Sequence, residues 1–523
     1  MRSIKVLDVT LRDGGYVNNW EFGTEESAYI LNKLTEAGIE LIEAGFISEK
    51  EPAVVGRTIY TGFDAVNSVP ALKDKRNIAC MINFGAFSIE NVPCYPGKGV
   101  DTIRVAFHRK DLHSALDFCA QIKEKGYRTF VQPMATTSFS EDDLAYLMTR
   151  CNEIQPEAVY IVDSFGTMQR TDVLRLLDFY DTHLNPYSQI GFHSHNNLQL
   201  AFPNAQDILR TEVHHDIIID SSVFGMGRGA GNLCTELIAM FLNEHYGKSY
   251  QLVPILEIID NCLNAIFIKM PWGYSVPYYV AAINKCHPNY ATYLLNKQTL
   301  GVKQINIILS RIPEENKRSY NAQLAEKFYL SYQECAIQDG ETLKKLQSTY
   351  AQRPILLLAP GKSITTHQHK IEAFIQEHHP IVIAINFLPE HFRIDTLFLS
   401  NTKRFANIKE LEGIHVIATS NISAQPAFDR VDYTSLINPG HSEADNAGLM
   451  LLRLMLRMDI KEVFFAGYDG FSQDLHENYY DDQLINNTIT EIFQERNRSI
   501  SEQLQVLGKQ LNIHFLTPTL YVW

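Results

Sequence analysis

The feature that most constrains the fold is a regular alternation of two patterns over the first 246 residues. Eight apolar runs of strand length are separated, for the most part, by segments with helical apolar spacing. Eight strand–helix units at this spacing predict an α/β fold in which parallel strands close into a TIM (β/α)8 barrel. An open doubly wound sheet is the alternative, but its glycine fingerprint is a poor match to Asp-Gly-Gly at residues 13–15. The eight strand runs are residues 4–10, 39–46, 77–84, 102–107, 128–134, 158–164, 189–195 and 217–224.

The remaining chain changes pattern twice. Residues 247–345 carry helical patterns and aromatic-rich stretches, which predict a helical extension packed on the barrel. Short strand runs return after residue 350, and helical patterns fill several of the gaps between them. They predict a second, Rossmann-like α/β domain with an open sheet over residues 350–523. A chain of 523 residues is too long for one core, which agrees with this division.

Composition excludes several classes of partner. The net charge of -14 argues against a nucleic-acid binder, which would need a basic face. No apolar run reaches the roughly 20 residues of a membrane span, and the chain begins with a strand pattern rather than a leader. The eight cysteines are scattered without a C-x-x-C pair, which is typical of reduced thiols. We therefore expect a cytoplasmic protein without membrane or nucleic-acid partners.

Two polar stretches stand at the ends of predicted barrel strands, where a parallel barrel keeps its chemistry. Residues 7–16 read LDVTLRDGGY, so Asp13 follows the first strand, and residues 191–197 read GFHSHNN. His193 and His195 are two apart on a strand and face the same side. In a closed barrel the first and seventh strands are separated by the eighth alone. Two imidazoles and a carboxylate suit a catalytic divalent cation, although the histidines could instead simply hydrogen-bond polar neighbours.

Three motifs in this order resemble a known family. Residues 8–14, residues 191–197 and residues 225–232, the last reading GMGRGAGN, resemble the signatures of the metal-dependent pyruvate aldolase and HMG-CoA lyase-like superfamily (DRE-TIM metallolyases). The branch they resemble most is 4-hydroxy-2-oxovalerate aldolase. The resemblance covers roughly residues 1–300. It implies a TIM barrel, a divalent metal, and the making or breaking of a carbon–carbon bond beside a 2-oxo acid.

The resemblance also implies roles for individual residues. Asp13, His193 and His195 would be metal ligands, and Asn232 would be a further ligand or lie beside the metal. Arg12 would steady the enolate that forms when the carbon–carbon bond breaks, and so would stabilise the transition state. We expect Mn²⁺ or Mg²⁺ as the metal, with Zn²⁺ or Co²⁺ next.

One position departs from the family. The aldolase branch carries a histidine as general base two residues after the glycine of Arg-Asp-Gly, and here that position is Tyr16. A phenol is a weaker base at neutral pH unless a nearby cation lowers its pKa. Tyr16 in such a tuned state is one candidate base. Glu43, His108 and Asp163 are the others, and Asp163 is also a candidate substrate-binding residue.

The loop of residues 225–232 holds four glycines, and such a loop lets backbone N–H groups approach an anion. Arg228 is therefore a candidate anchor for a phosphate or carboxylate of the substrate. A tight turn beside the metal explains the glycines equally well.

The second domain carries its own weaker signal. Residues 358–363 read LAPGKS after a strand, and residues 466–470 read AGYDG after a later strand. The pair weakly resembles a Rossmann-like domain related to sialyltransferase-like and pterin-diphosphokinase-like proteins. The resemblance implies a nucleotide or sugar ligand near Gly361, Ser363 and Asp469, with a scaffold or oligomerisation role as the alternative.

Together these observations predict a divalent-metal-dependent aldolase, a carbon–carbon lyase or condensing enzyme for a 2-oxo acid such as pyruvate and an aldehyde. Two α/β domains in one chain suggest a role in acidic-sugar or cell-surface glycan metabolism, and we expect a homo-oligomer. Two alternatives stay open. One is an acyl-CoA-dependent Claisen condensing enzyme of the same superfamily, and the other is a non-catalytic metal-binding scaffold.

Overall fold

The computed structural model describes residues 2–72, 76–406, 408, 411, 413–423, 425, 427–481 and 493–522. The chain forms two compact units, Met1–Pro288 and Asn289–Trp523.

The first unit is built on a closed ring of parallel strands, as the alternating pattern predicts. The strand order β1-β9-β8-β7-β6-β5-β4-β2 closes through pairing of β1 with β2, and a short strand β3 adds to β2 outside the ring. This confirms the eight-stranded barrel. The strands described in this unit are β1 Ile4–Asp8, β2 Leu41–Ile47, β3 Ile59–Tyr60, β4 Ile78–Asn83, β5 Thr102–Phe107, β6 Arg128–Pro133, β7 Ala158–Asp163, β8 Gln189–Ser194 and β9 Ile217–Ser221.

Helices follow most of the barrel strands and cover their outer face. The start of α5 is a capping box, in which Ser140 and Asp143 each accept a hydrogen bond from the other's backbone N–H. Helix α2 buries Ile30, Leu31 and Leu34 against the strands, as its apolar spacing predicts. The helices up to residue 246 are α1 Gly15–Asn18, α2 Thr24–Glu36, α3 Phe63–Asn67, α4 Leu112–Glu124, α5 Glu141–Ile154, α6 Arg170–His183, α7 Ala201–Arg210 and α8 Thr235–Tyr246.

Both faces of the barrel strands are buried, which explains why their sequences read as continuous apolar runs. Neighbouring residues of β1 enter different cores. Val6 packs in the layer between strands and helices, whereas Leu7 packs in the barrel interior with Phe130 and Tyr160. Because apolar side chains fill this part of the barrel interior, the candidate site residues Asp13, His193 and His195 lie at the carboxyl ends of the strands.

The helical segment after the barrel does not form one extension, and the predicted boundaries at residues 246 and 345 are corrected. The two units divide at Pro288, inside the segment. Ile255 and Ile258 join the barrel core, whereas Leu346 and Tyr350 join the core of the second sheet, because each helix buries its apolar stripe against the nearest sheet. The helices are α9 Leu252–Ile258, α10 Asn264–Lys269, α11 Val276–Ile283, α12 Pro288–Asn296, α13 Val302–Ser310, α14 Glu314–Lys317, α15 Ala322–Gln333 and α16 Gly340–Tyr350.

The second unit contains an open parallel sheet, as predicted, with the order β14-β13-β12-β11-β10-β15-β16. Alternate residues of β10 enter the cores on its two faces, so this sheet is also covered on both sides. The sequence analysis missed β14, which has three residues, two of them charged. The strands are β10 Ile355–Leu358, β11 Ile381–Ile385, β12 Thr396–Leu399, β13 His415–Thr419, β14 Asp429–Val431, β15 Glu462–Ala466 and β16 Asn512–Phe515. The helices are α17 Ser363–Thr366, α18 Gln368–His378, α19 Thr402–Phe405, α20 Ala447–Arg457 and α21 Phe493–Leu507.

Candidate metal centre and active site

Three side chains converge at the carboxyl ends of β1 and β8. Asp13 lies in a π-helical turn after β1, His193 is in β8, and His195 follows that strand directly. One candidate ligand atom from each lies within 4.8 Å of the other two, and all three side chains are buried. Only β9 separates the two strands, as expected for a closed barrel.

The protonation states of two of these groups, Asp13 and His195, suit a metal. Burial lowers the pKa of His195 to about 3, so its imidazole is neutral and can donate a lone pair. Burial alone would raise the pKa of Asp13, but Arg12 and the histidines outweigh burial and hold that pKa well below its usual range. His193 is oriented by Asp220, which contacts its Nδ1 at 3.0 Å and leaves Nε2 on the side of Asp13. A carboxylate behind a histidine in this way is usual at metal sites.

Asn232 completes a donor set that fits a divalent cation. Its Nδ2 donates to Asp13 Oδ1 and to the carbonyl oxygen of Met226, both at 3.1 Å. Its Oδ1 is buried and has no hydrogen-bond partner among the residues described. A buried amide oxygen without a donor is costly unless something binds it. Two imidazoles, a carboxylate and this oxygen are donors that can hold a divalent cation.

Behind the ligands lies a ring of buried charges that the sequence analysis missed in part. Glu43 Oε2 accepts from Arg12 Nε at 2.7 Å and from Arg104 Nη1 at 2.8 Å. Arg104 also binds Asp220, which contacts His193. The signal for Arg104 and Asp220 was available, because each is a charged residue inside an otherwise apolar strand, TIRVAF and IIIDS.

The guanidinium of Arg12 binds two carboxylates, and its third nitrogen has no partner among the described residues. Its Nε binds Glu43, its Nη1 binds Asp13, and Trp20 donates to its backbone carbonyl at 2.7 Å. Its Nη2 is buried without a partner in the described part of the chain. The guanidinium is therefore fixed beside the candidate metal ligands, with one N–H group that no described residue binds.

Glu43 is placed as a positioning residue. One of its oxygens accepts from two guanidinium groups, those of Arg12 and Arg104. Because this carboxylate is the counter-charge of both buried guanidinium groups, it holds them in position.

Tyr16 lies at the rim of the barrel mouth, with over a third of its surface exposed. Its ring centroid is 4.7 Å from that of Trp20, and the guanidinium of Arg228 stands 5.1 Å from it. Removal from water raises the pKa of Tyr16, and Arg228 offsets this only in part. These surroundings do not favour the lowered pKa that a tyrosine base would need.

The glycine-rich loop runs over the same mouth and carries Arg228. Ala230 N donates to Asn197 Oδ1 at 3.0 Å, which ties the loop to the end of β8. A Cβ on Gly231 would lie 2.0 Å from the carbonyl oxygen of Gly225, so this turn requires glycine there. Arg228 Nη1 lies 3.4 Å from His287 Nε2.

Two other candidate residues have different surroundings. Both oxygens of Asp163 accept backbone N–H groups, from Thr167 and Met168, each at 3.0 Å. Burial raises the pKa of Asp163 to about 6, and its carboxylate orders the loop after β7. His108 follows β5 and is an exposed residue. Its imidazole is still partly shielded from water, which lowers its pKa.

In the second unit, the three predicted ligand residues brace one another. Ser363 donates to Asp469 through both its backbone N and its Oγ, and the first of these distances is 2.7 Å. A Cβ on Gly361 would lie 2.5 Å from Asp469 Cγ. The two sequence motifs therefore lie together at the ends of β10 and β15. Their polar side chains, Ser363 and Asp469, are hydrogen-bonded to each other.

The cysteines and the helices bear on the expectations drawn from composition. All eight cysteines are free thiols, as expected. None of the described helices combines the length and the apolar character needed to cross a membrane.

Comparison with known proteins covers the same part of the chain. A family model described as HMGL-like matches residues 3–259. The chain is 28% identical over 246 residues to the 4-hydroxy-2-oxovalerate aldolase of Thermomicrobium roseum, covering 46% of this chain and 67% of the relative. It is 28% identical over 274 residues to the oxaloacetate decarboxylase of Mycobacterium tuberculosis, covering 52% and 79%.

Among solved structures, the N-terminal domain of a candidate aldolase from Bacteroides vulgatus is 28% identical, with a TM-score of 0.48. It covers 56% of this chain and 96% of that one. The resemblance inferred from the three motifs is confirmed by the family match. Over residues 3–259, this chain is therefore similar to the HMGL-like family.

Proposed function

We propose that the first unit is a divalent-metal-dependent aldolase that makes or breaks a carbon–carbon bond between a 2-oxo acid such as pyruvate and an aldehyde. The names of two relatives support this choice of substrate. Cleavage of 4-hydroxy-2-oxovalerate and decarboxylation of oxaloacetate both break the bond between C3 and C4 of a 2-oxo acid. Both leave negative charge on the carbons and keto oxygen of pyruvate.

The observation that carries the proposal is Arg12 Nη2, which lies beside the three candidate metal ligands and has no partner among the residues that the structure describes. A donor held in place by Glu43 and Asp13 needs no reorganisation when charge develops on the keto oxygen. Such a preorganised donor stabilises the transition state more than the ground state. A scaffold that only bound metal would have no use for a fixed, unsatisfied guanidinium N–H.

Asp13, His193, His195 and Asn232 are the residues that would hold the cation, with Mn²⁺ or Mg²⁺ as our first choice. A divalent cation there supplies Lewis acidity to the keto oxygen. The charge balance supports it. The buried ring carries two guanidinium groups against three carboxylates, so a divalent cation and one 2-oxo acid carboxylate would bring the site to neutrality.

We further propose that the aldehyde carries an acidic group. Arg228 remains as an extra positive charge at the mouth, and no acidic side chain pairs with it in the part of the chain described here. A carboxylate or phosphate at the far end of the aldehyde would provide the missing partner. With a polyhydroxylated aldehyde the condensation product is an acidic sugar, the class of metabolite suggested by the sequence.

Incubation of the full-length protein with Mn²⁺, pyruvate and a panel of aldehydes tests both proposals. The panel pairs each neutral aldehyde with one of similar size bearing a distal carboxylate or phosphate, and mass spectrometry identifies the product. We expect adducts of pyruvate and aldehyde, with kcat/KM about 10-fold or more higher for the acidic member, the scale of one charged hydrogen bond. Arg228→Gln should remove that preference, whereas Arg175→Gln, an exposed position on α6, should not.

Two outcomes contradict these proposals. Thiol release from acetyl-CoA without any aldehyde adduct would indicate the Claisen condensing enzyme. Equal rates for acidic and neutral aldehydes in the wild-type protein would remove the assigned role of Arg228 while leaving the aldolase intact.

Tyr16 is expected to orient substrate rather than to accept the proton. Because its pKa is raised, its phenol stays protonated at neutral pH. Tyr16→Phe should lower kcat/KM by about 10-fold or less, the scale of one neutral hydrogen bond, and should leave the shape of the pH–rate profile unchanged. Tyr16→His should retain or raise aldol cleavage, since a histidine titrates near neutral pH. Loss of the basic-form limb in Tyr16→Phe would instead identify Tyr16 as the base.

A further inference from the structure

The open sheet of the second unit has a crevice at its topological switch point. From the central strand β10 the chain continues to β11 on one side and returns later as β15 on the other. In open α/β sheets, ligands bind outside the carboxyl ends of the two strands at such a point. A cleft lies there, lined among others by residues 359–361 after β10 and by Tyr468 and Phe471 after β15.

One buried arginine in the cleft wall has a guanidinium nitrogen without a hydrogen-bond partner among the described residues. Arg496, on α21, is 9% exposed and holds Glu443 with Nε at 2.8 Å and Nη2 at 3.2 Å. Its guanidinium carbon lies 4.4 Å from the ring centroid of Phe471. Its Nη1, on the opposite edge of the guanidinium from Glu443, is buried without a partner among the described residues. A buried charged N–H without an acceptor indicates an anionic ligand that completes it.

A helix terminus provides a second, independent contribution to the same cleft. Helix α20 has 11 residues and begins at Ala447, which lines the cleft together with Asn446 and Gly448. The amino end of a helix carries partial positive charge and favours anions. Asn446 Oδ1 already accepts from the backbone N–H groups of Gly448 and Leu449, so the start of α20 adds positive potential to the cleft while Arg496 offers the donor.

The remaining lining adds charge and flat apolar surface. Among the titratable side chains of the lining there are three cations and two acids, although the chain as a whole carries a net charge of -14. One of the acids, Asp445, already accepts hydrogen bonds from Tyr433 at 3.1 Å and from Gln333 at 3.3 Å. Arg404 stands on the cleft wall 5.4 Å from the ring centroid of Tyr479. Tyrosine and phenylalanine rings form an apolar side against which a ring can pack.

We propose that this cleft is a second ligand site, for a small organic phosphate such as a nucleotide or sugar phosphate. The phosphate lies at Arg496 Nη1 and the start of α20, and the body of the ligand lies against Phe471 and Tyr479. The site adjoins the Ser363–Asp469 pair, which shapes the crevice and contributes no free donor. It is independent of the barrel chemistry and does not rest on the proposed aldolase activity.

Titration calorimetry on the full-length protein tests the site, with inorganic pyrophosphate, ADP and glucose 1-phosphate as probes. Excess Mg²⁺ in cell and syringe keeps the probes from stripping the barrel metal. We expect at least one probe to bind, and the tightest of the three identifies the body of the ligand. Binding of pyrophosphate alone would restrict the site to the phosphate group.

Three variants locate the binding. Arg496→Lys keeps a charge for Glu443 but loses the planar fork, and should weaken binding at least 10-fold. Arg404→Gln, on the other wall, should weaken it several-fold, whereas Arg498→Gln, exposed on the same helix as Arg496, should leave it unchanged. Circular dichroism and thermal unfolding report whether each variant is folded. The proposal is overturned if no probe binds the wild-type protein, or if Arg496→Lys and Arg404→Gln, both folded, bind as tightly as it does.

Discussion

Replacing His193 with alanine should abolish tight divalent-metal binding and reduce aldol turnover by about 10³-fold or more. Loss of a residue that merely orients a ligand typically costs 10–100-fold in metal affinity, and loss of a ligand should cost more. The barrel should remain folded, because Asp220, the partner of His193, is still neutralised by Arg104.

Metal content after dialysis against Mn²⁺ and calorimetric Mn²⁺ titration measure the affinity, and kcat measures turnover. The control is His214→Ala, which removes an exposed imidazole that contacts Asp181. Full metal occupancy in His193→Ala, with an unchanged titration curve, would contradict the assignment of the site.

Replacing Arg12 with lysine should lower kcat by 10²-fold or more, the scale of losing one oxyanion donor. A single ammonium group cannot bind Glu43 and Asp13 and still offer a third, fixed N–H to the substrate. Glu43 would keep its bond to Arg104, so the fold should persist. Because Arg12 is assigned to the transition state, KM should change far less than kcat.

Steady-state kinetics of aldol cleavage test this, with metal content measured on the same preparation. Arg109→Lys serves as the control, since its side chain is exposed after β5. Normal kcat with a raised KM would show that Arg12 binds the substrate in its ground state and has no special role in the transition state.

The strength of the ion pairs between these residues depends on their burial. Arg12, Glu43, Arg104 and Asp220 are all almost fully enclosed, and each charge has an opposite charge beside it. Removing one member of a buried pair typically costs 3–5 kcal/mol, because its partner is left uncompensated. The ring therefore holds the candidate metal ligands and Arg12 with a rigidity that exposed ion pairs lack.

Much of the site could be predicted from local sequence, and the structure shows why. Asp13 and His193 are about 180 residues apart, yet parallel closure brings the ends of β1 and β8 within one strand of each other. Any sequence recognised as an eightfold strand–helix repeat implies that closeness. The H-x-H spacing then places both imidazoles on one side.

Other features could not be read from the sequence because they depend on what surrounds a side chain. Tyr16 lies beside Arg228, a cation that lowers the pKa of the phenol. Desolvation has the larger effect, so the pKa of Tyr16 is raised. Glu43 was a candidate base at the end of the second strand, but in the structure it lies inside β2 and one of its oxygens binds two arginines. Ser363 and Asp469 share a crevice, but they bind each other.

The sequence by itself predicted the barrel, the open second sheet, and the convergence of Asp13, His193 and His195 with Arg12, because strand periodicity and parallel topology bring those residues together. Tertiary structure alone decided where the helical segment divides, which charges neutralise which, and which buried polar atoms have no hydrogen-bond partner among the described residues. Arg12 Nη2, Asn232 Oδ1 and Arg496 Nη1 are such groups. Whether a polar atom has a partner is set by all the neighbours that the fold packs around it, and no local pattern contains that information.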